Sequence, residues 1–226
     1  MLAALPRIRW IFFDVGDTLM DEREPMFDWC GQVAAALSAR GRPTSASDVW
    51  TARERAYADF APDILGRILE NLSVPASESS VFQSARYPHE LEHPFVGTTD
   101  VLNRLSARFQ LGVIANQAAG TADRLCRQGW RGFFSVCISS TEEGLRKPDP
   151  AIFRLALERA GCRGDQAVMV GDRLDNDIAP AKAAGMATIR LHQGLAAIQQ
   201  PADPSQEPDI TLAAIYDLPA ALGLSD

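Results

Sequence analysis

Short apolar runs that end in polar or glycine-containing segments recur along this chain of 226 residues. The runs WIFFDVG, LGVIANQ and AVMVGDR have the length of a buried parallel strand, and FSVCIS and ATIRLH are two further candidates. Each of the first three is followed by a helix-like or capping pattern. Strands that alternate with helices predict an α/β fold, in which a doubly wound parallel sheet is covered by helices on both faces.

Four segments between the strands have the apolar spacing of helices: TTDVLNRLSARF, GTADRLCRQG, PAIFRLALERAG and NDIAPAKAAG. In the third segment, Pro150 suits the first helical turn and Gly161 suits the C-terminal stop. The last part of the chain predicts a polar loop, a short strand near Ile210 to Leu212 and a closing helix.

The stretch from about Asp21 to His93 interrupts this alternation, because its patterns are those of helices only. MFDWCGQVAAALSARG closes on a glycine, SASDVWTARERAYADF opens with Ser and Asp capping choices, and PDILGRILENL carries a stripe of Ile and Leu. We therefore predict two domains. An α/β core domain spans residues 1–19 and 95–226, and an inserted all-helical cap domain spans residues 20–94.

The composition, with 46% hydrophobic and 23% charged residues, is that of an ordinary soluble globular protein. The formal net charge of −7 argues against nucleic acid as a partner. No apolar stretch has the length of a membrane span and no signal peptide is recognisable, so we expect no membrane partner. A monomer and a homodimer both remain open.

The cysteines are widely and irregularly spaced, at Cys30, Cys126, Cys137 and Cys162. They form no C-x-x-C pair, and no histidine stands at the spacing of a zinc site. We interpret them as free thiols in a reducing compartment, and the expected localisation is therefore cytoplasmic.

Polar residues follow three of the predicted strands directly. Asp14 follows the first strand, Asn116 the second and Asp172 a later one. Sites of parallel sheets lie at the carboxyl ends of the strands, so these side chains are expected to converge. Lys147 stands in GLRKPDP just before a helix, and Asp177 lies in VGDRLDND. Taken singly, such residues are also common in turns and helix caps, and only their combination indicates a site.

The order of these motifs resembles the haloacid dehalogenase-like (HAD) hydrolase superfamily, in the branch with a helical cap inserted after the first motif. The matching segments are DVGDTL, VIANQ, RKPDPAIF and VGDRLDNDIAPAKAAGM. The resemblance implies a Rossmann-like core and a Mg²⁺-dependent hydrolase, a phosphatase that acts on a small phosphorylated metabolite.

The resemblance also implies a role for each residue in catalysis. Asp14 would be the nucleophile that forms an aspartyl-phosphate, which water then hydrolyses. Lys147 would act as a catalytic and phosphate-binding point charge that neutralises the phosphate or the carboxylate. Asn116, with nearby backbone N–H groups, would bind phosphate oxygens.

The metal ligands that the resemblance implies are all oxygen donors, as Mg²⁺ prefers. Asp14 and Asp172 would contribute carboxylates, and Gly16 would contribute its peptide oxygen. Asp177 is the remaining candidate ligand, and it would alternatively hold a metal-bound water or orient Lys147.

Two positions depart from the family pattern. Gly16 stands where phosphatases of the family carry a second Asp as general acid, and Ala115 replaces the usual Ser or Thr. Loss of a general acid typically costs about 10²–10⁴ in rate. Two alternatives therefore stay open: a catalytically impaired HAD domain that binds metal and a ligand or partner, and a 2-haloacid dehalogenase that uses Asp14 on carbon.

Overall fold

The structure is a computed structural model, and it describes residues 7–224. Its strands are β1 (Trp10–Phe13), β2 (Met20–Asp21), β3 (His93–Pro94), β4 (Gln110–Ala115), β5 (Phe134–Ser139), β6 (Ala167–Gly171), β7 (Ala187–Leu191) and β8 (Ile210–Leu212). Its α-helices are α1 (Arg23–Ala39), α2 (Ala46–Ala58), α3 (Ile64–Asn71), α4 (Thr98–Ser106), α5 (Thr121–Leu125), α6 (Ser140–Glu143), α7 (Pro150–Ala160), α8 (Ala179–Ala183) and α9 (Leu218–Ala221).

Six strands form one parallel sheet in the order β5-β4-β1-β6-β7-β8, while β2 and β3 pair separately. The central strand β1 is in register with both neighbours, because Phe13 lies opposite Val113 of β4 and Val170 of β6. The strand order reverses on either side of β1, as in other doubly wound sheets. The α/β fold predicted from the sequence is confirmed.

Alternate residues of β1 supply the cores on the two faces of the sheet. Ile11 and Phe13 pack into one buried cluster, and Trp10 and Phe12 pack into the other. The neighbouring strand β4 packs closely against the ring of Phe12, since a Cβ on Gly112 would lie 2.6 Å from that ring. A strand that is buried on both faces has a continuous apolar sequence, which explains the WIFF pattern of β1.

The helix α7 shows why the sequence signals at its ends were informative. Asp149 accepts a hydrogen bond from the N–H of Ala151, Pro150 occupies the first turn, and Gly161 ends the helix with a φ of 60°. The predicted start and stop of this helix are confirmed. Its buried face contains Ile152 and Phe153, which pack in the same cluster as Phe12.

The chain divides into two compact units. One comprises the described residues up to Met20, Pro94–Ala197 and the described residues from Pro201 onward, and the other comprises Asp21–His93 and Ile198–Gln200. The second unit holds α1, α2 and α3 around its own buried core, whose members are Trp29, Cys30, Val33, Ala34, Leu37, Val49, Ala52, Ile68, Leu69, Val74, Val81 and Phe82. Within this unit, the side chain of Gln199 donates to the carbonyl of Tyr57 at 3.1 Å.

All four cysteines are free thiols. Cys30 is buried, Cys137 and Cys162 are half-buried, and Cys126 is exposed. In residues 7–224, none of the helices is both long enough and apolar enough to cross a membrane.

Candidate active site

Three carboxylates meet at the carboxyl edge of the sheet. Asp14 directly follows β1 and Asp172 directly follows β6, while Asp177 lies one turn further along the chain. One oxygen from each of them lies within 4.8 Å of the other two. Asp14 is the most accessible of the three, with 13% of its side chain exposed, whereas Asp177 is fully buried.

Lys147 joins two of these carboxylates. Its Nζ donates to Asp14 Oδ1 at 2.7 Å and to Asp177 Oδ1 at 2.5 Å, and the residue is only 2% exposed. Burial lowers the pKa of Lys147, but its two carboxylate partners more than offset this and raise the pKa above its usual value. The ammonium group therefore stays protonated and supplies a fixed positive charge beside Asp14.

The acidic cluster carries more negative charge than Lys147 alone can balance. Burial, followed by repulsion from Asp177, Asp17 and Asp14, raises the pKa of Asp172 well above its ordinary value. Burial is also the main reason why the pKa of Asp177 is raised to about 6. Three carboxylates this close together, with one ammonium group between two of them, favour an additional positive charge. A hard divalent cation with oxygen ligands fits this donor set.

Both carboxylate oxygens of Asp177 accept hydrogen bonds. Oδ1 accepts from Lys147, and Oδ2 accepts from the backbone N–H of Arg173 at 3.1 Å. The carboxyl group lies so close to Gly171 that a Cβ there would stand 2.5 Å from it. Asp177 is thus in direct contact with the ammonium group of Lys147, and its role as a metal ligand, as the holder of a metal-bound water or in orienting Lys147 stays a prediction.

A tight turn follows Asp14. The carbonyl of Val15 accepts backbone hydrogen bonds from Leu19 and Met20, both at 2.9 Å, and Gly16 forms an isolated bridge with Met20. Asp17 has a left-handed φ of 51°, and its Oδ2 accepts from the N–H of Leu195 at 3.0 Å. One oxygen of the Asp17 carboxylate is therefore bound to the loop after β7.

Asn116 follows β4, but its side chain is turned to the loop that carries Lys147. Its Nδ2 donates to the carbonyl of Lys147 and its Oδ1 accepts from the N–H of Lys147, both at 2.8 Å. One hydrogen of Nδ2 remains for another acceptor. The preceding residue, Ala115, is fully buried and offers no hydroxyl group.

Two residues of the site were not anticipated from the sequence. Arg190 is 4% exposed, and it donates to the carbonyl of Asp172 at 3.3 Å and to the carbonyl of Ala196 at 2.8 Å. Thr18 is buried, and its hydroxyl lies 3.5 Å from Asp172 Oδ1. A charged residue within the buried strand ATIRL is the sequence feature that could have identified Arg190. Buried arginines usually have a specific partner.

Comparison with known proteins places this geometry in a family. A family model described as haloacid dehalogenase-like hydrolase matches residues 8–185. A glyceraldehyde 3-phosphate phosphatase of Methanopyrus kandleri is 28% identical over 216 residues, which cover 91% of this chain and 93% of the relative.

Two solved structures share the fold. A 2-haloacid dehalogenase from Pseudomonas syringae pv. Tomato DC3000 has a TM-score of 0.61 at 28% identity, with coverage of 96% of this chain and 98% of that chain. The HAD hydrolase YfnB from Bacillus subtilis, bound to magnesium, has a TM-score of 0.72 at 21% identity, with coverage of 96% and 99%. Since the family model spans well over half of the sequence, this chain belongs to the haloacid dehalogenase-like hydrolases.

Proposed function

We propose that the protein is a Mg²⁺-dependent phosphohydrolase that acts on a small phosphorylated metabolite through an aspartyl-phosphate on Asp14. The observation that carries the proposal is the position of Lys147, whose ammonium group contacts Asp14 and Asp177 beside Asp172. A carboxylate is a weak nucleophile toward an anionic phosphate, and a fixed positive charge reduces their repulsion. The phosphatase relative from Methanopyrus kandleri supports a small phosphorylated substrate.

The proposed reaction consists of two displacements at phosphorus. An oxygen of Asp14 attacks the phosphorus, the bond to the substrate oxygen breaks, and an aspartyl-phosphate forms. Water then attacks the same phosphorus, the bond to Asp14 breaks, and inorganic phosphate leaves with the carboxylate restored. The departing alkoxide takes its proton from water, because Gly16 provides no acid. Good leaving groups should therefore react faster than simple alkyl phosphates.

The proposed metal ligands are carboxylate oxygens of Asp14 and Asp172 and the peptide oxygen of Gly16, with Asp177 as a further ligand or as the holder of a metal-bound water. Bound Mg²⁺ would neutralise charge on the phosphoryl group. Lys147 and the remaining N–H of Asn116 would bind the phosphate oxygens. Residues 20–94 would serve as the cap domain that admits substrate and excludes water.

The test is hydrolysis of p-nitrophenyl phosphate, followed by a panel of phosphorylated metabolites, with and without Mg²⁺. Asp14→Asn should abolish turnover while the protein remains folded by circular dichroism. Asp100→Asn makes the same chemical change at an exposed position on α4 and should leave the rate unchanged. Turnover that is independent of Mg²⁺ or of Asp14 would rule the proposal out.

Two features favour a second candidate, a catalytically impaired domain that binds metal and a ligand or partner. Gly16 lacks the acid, and Ala115 lacks the hydroxyl. This candidate predicts Mg²⁺-dependent thermal stabilisation without turnover on the panel. Halide release from 2-chloropropionate would instead support a dehalogenase, to which the similarity with the Pseudomonas syringae enzyme points. The acidic cluster argues against that reaction, because buried carboxylates repel a carboxylate substrate.

A further inference from the structure

A cavity of about 540 Å³ lies among the loops that follow β4 and β5 in the unit that contains the parallel sheet. Asn116 and Gln117 line it after β4, Ser140 and Thr141 line it after β5, and Arg146 lines it from the loop before α7. Its volume is within the range of small-molecule sites. Asn116 is the one lining residue to which the proposed mechanism gives a role.

Two residues of the cavity lining are linked to the candidate active site. Asn116 belongs to its lining and also forms both hydrogen bonds to the backbone of Lys147. Arg146 immediately precedes Lys147, so their Cα atoms are about 3.8 Å apart. A phosphate bound by the remaining N–H of Asn116 would therefore lie at the edge of this cavity.

Arg146 is an exposed cation for which no carboxylate partner is found in residues 7–224. The acidic residues around it are already committed elsewhere. Glu142 accepts from the N–H of Gly120 at 2.9 Å, and Glu143 pairs with Arg159 at 2.6 and 2.7 Å. Asp149 caps α7 through the N–H of Ala151 at 2.8 Å. The guanidinium group is thus left available for an anion from solution.

The other groups in the cavity are suited to a small polar ligand. Within residues 7–224 the hydroxyl of Thr141 has no hydrogen-bond partner, and the hydroxyl of Ser140 donates to the carbonyl of Gln117 at 3.3 Å. No aromatic side chain is found among the described residues that line the cavity, so it offers no surface for stacking a nucleobase. The lining therefore favours a charged, hydroxylated ligand over a nucleoside.

We propose that this cavity is a subsite for a second oxyanion of the substrate, a carboxylate or a second phosphate, and that Arg146 determines this specificity. The planar guanidinium group presents paired N–H donors that match either anion in a bidentate arrangement. The inference rests on the proposed function, because it takes the substrate to be a phosphate ester bound at Lys147. It adds the chemical class of the leaving group, a small alcohol that carries a carboxylate or one further phosphate.

The experiment compares probes that differ in one group. Binding of 3-phosphoglycerate and of glycerol 3-phosphate to the Mg²⁺-loaded Asp14→Asn protein is measured by calorimetry. The carboxylate probe should bind about tenfold more tightly or better, as expected for hydrogen bonds between charged groups. Arg146→Ala should reduce this ratio to within about twofold, and Arg146→Lys should restore part of it. Fructose 1,6-bisphosphate and fructose 6-phosphate form the corresponding pair for a second phosphate.

Arg154→Ala is the matched control, because Arg154 is an exposed arginine on α7 outside the cavity lining. It should leave both affinities unchanged. Ratios near one for both probe pairs, or an equal loss for both members of each pair in Arg146→Ala, would overturn the inference. Failure of the proposed function would look different: the wild-type protein would not hydrolyse p-nitrophenyl phosphate, while the binding ratio and its dependence on Arg146 would persist.

Discussion

The side chain of Asn116 and the backbone of Lys147 form two reciprocal hydrogen bonds of 2.8 Å across 31 residues of sequence. The amide thereby fixes the loop from which the ammonium group reaches Asp14 and Asp177. The residue that directly follows β4 thus determines where a charge is placed beside the end of β1. Its own direct contact with phosphate remains a prediction.

Asn116→Ala should therefore reduce catalysis mainly by displacing Lys147. Loss of two hydrogen bonds should lower the free energy of unfolding by about 1–3 kcal/mol, and kcat should fall about tenfold or more. Urea unfolding and steady-state kinetics on p-nitrophenyl phosphate measure the two effects. Asn103→Ala, at an exposed position on α4, is the control. A rise in KM with unchanged kcat would instead indicate that Asn116 only binds substrate.

The acidic cluster should make the effect of Mg²⁺ depend on pH. The pKa of Asp177 is raised to about 6 by burial, above its ordinary value of 3.8. Between these values the folded protein retains a proton that the unfolded chain has released. The contribution of this bound proton to the free energy of unfolding is thus complete below about pH 4 and is lost as the pH rises through about 6.

Mg²⁺ binds the deprotonated carboxylates, so its stabilisation should grow over the same pH interval. We expect a larger increase in Tm on adding Mg²⁺ at pH 7.5 than at pH 5.0. Asp172→Asn should abolish this increase and should raise the Tm of the metal-free protein at pH 7.5, because it removes a buried charge of the same sign as its neighbours. An equal response to Mg²⁺ at both pH values, or in the variant, would contradict this prediction.

Gly194 should be needed where it contacts the turn after Asp14. It has a φ of 67°, and a Cβ at this position would collide with the side chain of Asp17. Gly194→Ala should combine backbone strain of about 1–2 kcal/mol with an overpacking cost of about 1–3 kcal/mol. It should also lower kcat/KM, because Asp17 is three residues from Asp14.

The control for Gly194→Ala is Gly161→Ala. Gly161 has a similar φ of 60°, but an added Cβ would meet nothing within 4 Å. The Gly161→Ala variant should lose stability through backbone strain alone and should keep full activity. Equal losses of stability in the two variants, measured by urea unfolding, would show that the contact with Asp17 contributes nothing.

The sheet and the clustering of Asp14 with Asp172 could be predicted because both follow from local patterns. Apolar runs of strand length indicate β1 and β6, and parallel strands present their carboxyl ends at one edge. Lys147 was recognised from its motif and its place in the motif order. The contact of its Nζ with Asp14 depends on a loop conformation that no apolar periodicity encodes.

Long-range polar pairs were beyond the reach of the sequence. Asp17 and Leu195 are 178 positions apart, and Arg190 reaches the carbonyl of Asp172 across two neighbouring strands. Such pairs arise only after the strands have been ordered, because each partner alone fits an ordinary turn or surface pattern. The same holds for the two hydrogen bonds between Asn116 and the backbone of Lys147, whereas the expected contact of this amide with phosphate stays a prediction.

Gly16 should limit the rate with poor leaving groups, and Gly16→Asp tests this directly. Gly16 does not have a positive φ, so its backbone accepts a side chain without strain of that kind. A carboxyl group two residues after Asp14 would stand where the resemblance to the family implies a general acid. Hydrolysis of glycerol 3-phosphate should rise, by up to about 10²–10⁴-fold. Hydrolysis of p-nitrophenyl phosphate should change much less, because its leaving group needs little protonation.

Gly16→Asn separates acid catalysis from a change of shape. It adds a side chain of nearly the same size that has no acidic proton, so it should leave both rates close to those of the wild-type protein. If Asn and Asp accelerate the reaction equally, the side chain acts by packing and proton transfer is not limiting. If Gly16→Asp leaves the ratio of the two rates unchanged, the alkoxide already obtains its proton efficiently, and Gly16 does not restrict the choice of substrate.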